Sequence, residues 1–248
     1  MSNDHIVSSF KADLGRLDNM IAEMGGLAES QLSRSIEALC KRDLEAAERI
    51  IPADKKIDAL EEEIYEFTVK LLALRQPVAD DLRIIISAIK ISSVIERIGD
   101  YAKNISKRTI VLKEGPSLTG ALNSVSRMSD LVQIMIKQAL DAYIERDAEK
   151  AGDVRARDRE VDLLHTSLFQ ELLTYMMEDP RYITPCTHLL FVAKNIERIG
   201  DHTTAIAEQV HFMVHGEMPA DDRPKGDHSS TTIVTLEDVE NDRESAQP

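Results

Sequence analysis

The chain has 248 residues, of which 43% are hydrophobic and only 4% are aromatic, with no Trp. This length suits one large domain or two of about 100–150 residues, and the prominence of Ala, Leu, Ile and Glu favours helices. The net charge is −14, which argues against nucleic acid or anionic lipid as the main partner, because both require a basic surface.

The sequence also bears on where the protein works. The first ten residues, MSNDHIVSSF, contain no basic segment followed by an apolar stretch, so we expect no signal peptide. No apolar run approaches the ~20 residues of a membrane span, and we therefore expect a cytoplasmic protein without membrane insertion. Cys40 and Cys186 are the only cysteines, and we interpret both as reduced residues of the core.

Apolar residues at near-heptad spacing between residues 10 and 40 predict a long first helix. The pair Gly25-Gly26 weakens the middle of this helix, where a kink is possible. Asp43 is a suitable N-cap for the second helix. Pro52 lies inside that second helix and should kink or interrupt it.

The second helix is expected to resume at Asp54 and to stop before Gln76-Pro77. Pro77 suits the first turn of a third helix, whose apolar stripe continues to about Leu112. Three long helices joined by short turns predict an antiparallel three-helix bundle.

The same pattern then returns in the second part of the chain. Residues 54–60 correspond to 158–164, and the five letters ERIGD occur at 96–100 and again at 197–201. We therefore predict an all-α protein built from two tandem, homologous antiparallel three-helix bundles. The predicted divisions are a first repeat, a linker, a second repeat and a flexible, disordered acidic tail that is poor in large apolar residues, at residues 1–112, 113–121, 122–215 and 216–248.

Each ERIGD motif places two carboxylates four residues apart on one helix face, Glu96 with Asp100 and Glu197 with Asp201. Like charges at this spacing cost about 0.2–0.5 kcal/mol, and a glycine in a helix interior costs roughly 0.5–1 kcal/mol more. Acceptance of both costs in both repeats indicates a cation bound between the carboxylates. At 100° per residue the acids flank the apolar stripe of the helix and do not enter the core.

The second helix of each repeat offers further carboxylates at four-residue steps. They are Asp54, Asp58 and Glu62 in the first repeat and Asp158 and Asp162 in the second, where Thr166 replaces the third acid. If the second and third helices lie side by side, three or four carboxylates gather, and such oxygen ligands suit Mg, Mn, Ca or iron. Pairing of these acids with neighbouring Lys and Arg side chains is the alternative.

Five histidines lie in the second repeat, so that a metal site there would differ from the first. We interpret most of them as ordinary surface or half-buried residues: His165, His188, His202, His211 and His215.

Motifs of common enzymes are absent from the sequence. There is no P-loop, no G-x-G-x-x-G and no G-x-S-x-G, and the single Glu-x-x-His pair, at 208–211, lacks the mate that a di-iron bundle needs. We therefore predict no catalytic residues and no organic cofactor, and a regulator or adaptor instead of an enzyme.

Two tandem three-helix repeats that each end in ERIGD resemble the PhoU family of phosphate-transport accessory and signalling proteins. Residues 76–83, QPVADDLR, and the segment 54–62 are also similar to that family, and the resemblance covers roughly residues 8–215. It implies a cytoplasmic negative regulator of phosphate uptake and of the phosphate-starvation response. Its implied partners are the ATPase of the phosphate importer, a sensor histidine kinase and a second copy of the chain.

The resemblance further implies metal binding, with Mg, Mn, Fe or Zn as candidates. The implied ligands are Glu96 and Asp100 with Asp58 and Glu62, then Glu197 and Asp201 with Asp158 and Asp162. Two departures from the repeat, Thr166 opposite Glu62 and Ala205 opposite Asn104, indicate a weaker or empty second site.

Two other functions remain open from the sequence. One is a metal-dependent phosphohydrolase on a helical bundle, and the other is a metal-free helical scaffold in which ERIGD makes only ion pairs. For a surface this acidic we do not expect phosphate as a direct ligand, unless a bound cation recruits it.

Overall fold

The computed structural model describes residues 2–113, 115–116, 118–220 and 226–233, with side chains from residue 9 onward. This part of the chain forms seven α-helices and one short 3-10 turn, Pro180–Tyr182. The α-helices are α1 (Ser2–Lys41), α2 (Leu44–Ala53), α3 (Lys55–Arg75), α4 (Ala79–Val111), α5 (Thr119–Glu145), α6 (Ala148–Glu178) and α7 (Ile183–His215).

In the first half, α2 and α3 together form the second helix that Pro52 was predicted to interrupt. Helix α2 ends at Ala53, directly after Pro52, and α3 starts at Lys55. Asp43 is the expected N-cap of α2, since its Oδ1 accepts a 2.9 Å hydrogen bond from the Ala46 amide. The third helix begins at Ala79 and not at Pro77, because the backbone of Val78 is still extended.

The second half repeats this design with one simplification. Its second helix, α6, contains no proline and runs without interruption. Asp147 caps α6 as Asp43 caps α2, accepting hydrogen bonds of 3.0 and 2.9 Å from the amides of Glu149 and Lys150. Helix α5 begins at Thr119, so the end of the predicted linker 113–121 is helical.

Helices α4 and α7, which carry the two ERIGD motifs, lie at the centre of the molecule. Helix α4 packs against α1, α2 and α3, helix α7 packs against α5 and α6, and α4 and α7 also pack against each other. One continuous cluster of buried apolar residues contains side chains from both halves. The two repeats therefore share a core instead of folding around two separate ones.

Helices α1 and α5 form a second connection between the halves. The Arg146 guanidinium, at the C-terminal end of α5, contacts both carboxylate oxygens of Asp18 in α1, at 2.7 and 2.9 Å. Nearby, Gly25 of α1 lies so close to α5 that an added Cβ would be 2.5 Å from Leu140 Cδ1. Helix α1 nevertheless continues through Gly25-Gly26 without a break.

Three other expectations concern the core, the membrane and the tail. Cys186 is buried as predicted, whereas Cys40 is exposed, so its assignment to the core was wrong; both are free thiols. Within the part of the chain that the structure describes, no helix is long and apolar enough to cross a membrane. Of the predicted tail, residues 221–225 and 234–248 lie outside the described residues, and the exact domain limits stay a prediction.

The close contact at Gly25 makes a testable prediction with a built-in control. Gly26 is exposed with no atom within 4 Å of an added Cβ, so Gly26→Ala should raise the free energy of unfolding by about 0.4–1 kcal/mol. Gly25→Ala should lower it, because the new methyl group displaces Leu140. Urea unfolding of both variants measures the difference, and equal stabilisation by the two substitutions would contradict the packing at α5.

Candidate functional site

In the first repeat, the glycine of ERIGD lies directly against the start of α3. A Cβ on Gly99 would be 2.9 Å from Ile57 Cδ1 and 3.1 Å from Asp54 Oδ1. A side chain at this position would push α3 away from α4. The close packing of α3 on α4 therefore explains the glycine without a bound cation.

Asp54, the first of the acids at four-residue steps, is buried between α1, α3 and α4, with 2% of its surface exposed. Its carboxylate accepts a 2.8 Å hydrogen bond from Gln31 Nε2, and Gln31 also donates to the Gly99 carbonyl at 3.0 Å. Lys103 Nζ lies 2.5 Å from both Asp54 Oδ2 and Asp100 Oδ1. A buried carboxylate needs such partners, and here the lysine ammonium supplies the compensating positive charge.

Glu96, the first acid of the motif, is in a strongly negative environment. Burial, followed by the charges of Asp100 and Glu61, raises the pKa of Glu96 to about 7 against the opposing effect of Arg97. Near neutral pH the Glu96–Asp100 pair is therefore able to hold a proton between its two carboxyl groups.

The other predicted ligands of the first repeat lie on the surface of α3. Asp58 and Glu62 are both exposed on α3, and burial followed by the charge of Asp54 raises the pKa of Asp58. The α3 residue that affects Glu96 electrostatically is Glu61, which is not among the acids predicted at four-residue steps. The signal for Glu61 was its spacing of three residues from Asp58, which also selects one helix face.

The second repeat keeps the packing of glycine on aspartate. A Cβ on Gly200 would be 3.1 Å from Asp158 Oδ1 and 3.5 Å from Val161 Cγ1, which reproduces the contacts of Gly99 with Asp54 and Ile57. Asp158 and Asp162 are both buried, at 1% and 2% exposure. The second repeat therefore keeps the close contact between its second and third helices, α6 and α7, but surrounds it with different charged residues.

Glu197, the first acid of the second motif, is buried with 6% of its surface exposed, so the expectation that the acids stay outside the core was wrong here. Its Oε1 is 2.9 Å from Lys194 Nζ. Burial raises the pKa of Glu197, and the charge of Asp201 adds to this effect while Lys194 opposes it. Glu197 Oε2 is buried and accepts no hydrogen bond from the described residues.

Histidine replaces an acid beside this second motif. The shift of 104 residues that relates Asp54 to Asp158 also relates Glu61 to His165. His165 is buried, at 3% exposure, and it lowers the pKa of Glu197 electrostatically, where Glu61 raises that of Glu96. His165 is thus not the ordinary surface or half-buried residue that the sequence suggested.

A short stretch of the predicted tail covers Asp162, His165 and Thr166 of α6. The Gly226 amide donates to Asp162 Oδ2 at 2.7 Å, and the His228 amide donates to Thr166 Oγ1 at 3.1 Å. Asp227 lies between His165 Nδ1 at 3.4 Å and Lys194 Nζ at 3.3 Å. Residues 226–228 therefore lie on α6, near the start of the second ERIGD motif.

The charge of Asp227 is well supported in this position. Burial works against the carboxylate, but hydrogen bonds from Ser229 and the nearby His165 and Lys194 outweigh it and hold the pKa of Asp227 well below its usual range. Asp227 stays ionised and places a negative charge beside Lys194, which also contacts Glu197.

A metal site at these carboxylates stays a prediction. Among the described residues, no group of three or more His, Cys, Asp or Glu side chains is gathered to hold a metal ion. Each motif supplies two carboxylates one turn apart, and Glu197 Oε2 is buried without a hydrogen-bond donor among the described residues. A pair of carboxylate groups is a donor set that suits a hard cation such as Mg.

The raised pKa of Glu96 makes stability depend on pH. Its usual pKa is 4.5 and its folded value is about 7, so the native state binds more protons in this window and loses stability as the pH rises through it. Glu96→Gln stays neutral, and we expect its free energy of unfolding to exceed that of the wild type at pH 8 and to approach it at pH 5.

Urea unfolding in EDTA at the two pH values measures this difference. Glu62→Gln is the matched control, because it removes one carboxylate that is exposed on α3 and lies outside the Glu96–Asp100 pair. An advantage of Glu96→Gln that is no larger at pH 8 than at pH 5 would contradict the assigned environment.

Comparison with known protein families agrees with this architecture. A model of the PhoU domain matches residues 21–109 and again residues 125–210, so that each match falls within one three-helix repeat. Both ERIGD motifs lie inside the matched segments.

Curated relatives match along nearly their whole length. The chain is 47% identical over 231 residues to a phosphate-specific transport system accessory protein PhoU homolog of Rhizobium meliloti, covering 93% of this chain and 98% of that protein. It is 48% identical over 224 residues to the protein of the same name from Caulobacter vibrioides, covering 90% and 97%.

Solved structures show the same fold. The crystal structure of PhoU from Pseudomonas aeruginosa superimposes with a TM-score of 0.78 at 38% identity, covering 84% of this chain and 100% of that one. The phosphate transport system regulatory protein PhoU from Streptococcus pneumoniae gives a TM-score of 0.79 at 29% identity, with 85% and 99% coverage. With two matched domains and near full-length relatives, this chain belongs to the PhoU family.

Proposed function

We propose that this protein is a cytoplasmic negative regulator of phosphate uptake and of the phosphate-starvation response. In this role it links the ATPase of the phosphate importer to a sensor histidine kinase and lowers the output of both when phosphate is plentiful. The observation that carries the proposal is the near full-length similarity to proteins named as accessory to phosphate-specific transport.

Within this proposal the protein acts by binding and has no catalytic activity. The names of its relatives describe accessory and regulatory proteins. The proposal includes a homodimer, and a change of partner would follow from differential affinity for the conformations of the bundles.

The turn between α3 and α4 supports a docking role. Leu74 and Val78 expose 71% and 74% of their surface there, although both are large apolar residues. Adjacent exposed apolar side chains favour contact with another protein. We propose that this turn contributes to the surface that binds the importer ATPase.

We further propose that the carboxylate pairs bind a divalent cation, Mg or Mn, to tune this binding. At the first pair, Glu96 with Asp100, a cation competes with a proton at neutral pH because the pKa of Glu96 is raised. At the second pair, Glu197 with Asp201, Lys194 and the segment 226–233 already lie nearby. Lys103 contacts Asp100 in the first pair as well, but the Glu96 side chain is 21% exposed against 7% for Glu197, so the first pair is more accessible and is the stronger candidate.

Thermal melting tests the cation proposal. In EDTA-treated protein at pH 8, Mg or Mn at about ten times its dissociation constant should raise the melting temperature by roughly 3–5 °C. Glu96→Gln/Asp100→Asn should abolish most of this shift, because it removes the charge that the cation compensates, whereas Glu197→Gln/Asp201→Asn should remove less.

Glu45→Gln/Glu48→Gln is the charge-matched control, because both side chains are exposed on α2. A shift that survives all three double substitutions, or no shift for the wild type, would exclude the motif as a cation site. The metal-free scaffold would then account for the ion pairs of the structure.

Direct binding tests the proposed role. The purified protein should bind the importer ATPase of its own organism, and Leu74→Ser/Val78→Ser should weaken that binding about tenfold or more, because several apolar contacts are lost. Biolayer interferometry measures the affinities. Ile134→Ser/Ile144→Ser is the matched control, since these residues are exposed to 46% and 45% on α5.

A gene deletion provides the second measurement. Without the protein, a phosphate-starvation reporter should be active in phosphate-rich medium, and the wild-type gene should restore repression. A reporter that stays repressed in the deletion strain would overturn the proposed negative regulation, whatever the result of the binding assay.

A further inference from the structure

A groove between α4 and α7 differs in charge from the rest of this acidic protein. It has a volume of about 540 Å³ and lies beside the stacked rings of Tyr101 and His202, whose centroids are 5.5 Å apart. None of the described residues that line it is acidic. Its polar lining consists of Asn104, Lys107, Arg108, His188, Asn195 and Arg198.

Arg108 forms the recessed part of this groove. Its guanidinium carbon lies 4.1 Å from the centroid of the Phe191 ring, and its Nη1 is 3.3 Å from His188 Nδ1. Its Nε is buried with no hydrogen-bond acceptor among the described residues. Burial, and then the charge of Arg108, lowers the pKa of His188, so the neutral imidazole leaves the guanidinium charge uncompensated.

The other two cations are also without a carboxylate. Lys107 Nζ donates a long, 3.4 Å hydrogen bond to Asn104 Oδ1, and the Arg198 guanidinium lies 5.8 Å from the centroid of the Tyr101 ring. In the described part of the chain, no ion pair joins either of them, or Arg108, to an acid. Three positive charges thus face one groove in a protein of net charge −14.

Comparison of the two repeats shows that packing does not require Lys107 or Arg108, whereas Arg198 corresponds to Arg97 of the first ERIGD motif. The shift of 101 residues that relates the two ERIGD motifs places Ala205, Glu208 and Gln209 opposite Asn104, Lys107 and Arg108. On the facing helix, the same shift relates His188 to Ser87 and Asn195 to Val94. The basic lining belongs to one side of the α4–α7 pair, although both repeats pack the same helices.

The chemistry of the groove selects a small anion with several oxygen atoms. Guanidinium groups match phosphate oxygens with paired hydrogen bonds, and carboxamides add further donors. The volume lies within the range of about 300–1,000 Å³ found for small-molecule sites. Because Arg108 is recessed, a ligand must enter the groove to reach it, which favours a small molecule over the flat surface of an acidic protein.

We propose that this groove binds a small anion that carries phosphate groups. The site is distinct from the carboxylate pairs and from the α3–α4 turn, so it goes beyond the proposed regulatory role and stands or falls separately from it. It also differs from the expectation, drawn from net charge, that phosphate needs a bridging cation, because the local charge of the groove is opposite to that of the whole chain.

Isothermal titration calorimetry tests the site directly. The full chain, in EDTA to exclude a bridging metal, is titrated with inorganic phosphate, sodium tripolyphosphate and ATP. We expect saturable binding at one site per chain, tightest for the anions with several phosphate groups. The three titrants separate free phosphate, phosphate chains and nucleotides as sources of the same chemistry.

Substitutions then locate the site. Lys107→Gln/Arg198→Gln should weaken binding about tenfold or more, because two charge-assisted contacts are lost, and both side chains are exposed, so the fold should persist. Arg108→Lys keeps the charge and loses the paired geometry, and should weaken binding several-fold. Lys90→Gln/Lys137→Gln removes the same charge outside the groove and should bind as the wild type does.

Several results would overturn the proposal. They are the absence of binding by all three anions, equal affinity of the groove variants and the control variant, and equal binding of sulfate at the same ionic strength. Loss of importer ATPase binding in the groove variants, with no anion bound by the wild type, would assign the groove to an acidic protein surface instead. Circular dichroism melts of each variant confirm that folded proteins are compared.

Discussion

The close approach of a buried aspartate to a helix glycine organises both repeats. Asp54 Oδ1 and Asp158 Oδ1 each lie 3.1 Å from the place where a Cβ would stand on Gly99 or Gly200. A larger residue would separate the second helix of the repeat from the third. The aspartates in turn need compensation inside the protein, and this requirement determines which charged groups gather around each ERIGD motif.

The two repeats meet this requirement with different chemistry. In the first, Gln31 and Lys103 hold Asp54, and Glu96 remains beside Asp100 and Glu61 with its pKa raised. In the second, Thr204 stands where Lys103 does. His165 replaces Glu61 there, and the segment 226–233 adds Asp227 beside Lys194. The duplicated backbone thus carries two unequal carboxylate pairs, one with a raised pKa at Glu96 and one covered by residues 226–228 of its own chain.

A shared core makes the two sites parts of one body. The buried apolar cluster includes residues of both repeats, and α4 and α7, which carry the motifs, pack against each other. A ligand that shifts one of these helices therefore acts on the other through direct packing. For an accessory protein of phosphate transport, this connection offers a physical route from ligand binding to the choice of partner.

Local sequence signals determined the helices and their repetition. Apolar periodicity, the caps Asp43 and Asp147, and the break after Pro52 depend on neighbouring residues, so that helices and breaks were predicted to within a few residues in most cases. The sequence did not predict the start of α1 at Ser2 or the start of α4 at Ala79, because a helix end depends on weak forces over one or two residues.

The site itself depended on contacts between helices, which no spacing along the chain contains. The ERIGD acids and Asp158 and Asp162 were named from the sequence, but the burial of Asp54 and Glu197 and the importance of Glu61 and His165 appeared only in the tertiary structure. Likewise the net charge of −14 concealed a basic groove, since charge is summed over the chain whereas a ligand meets only the side chains that folding brings together. The sequence by itself determined the helices, their repetition and the carboxylate pairs; packing between helices decided which charges are buried, paired or left facing a groove.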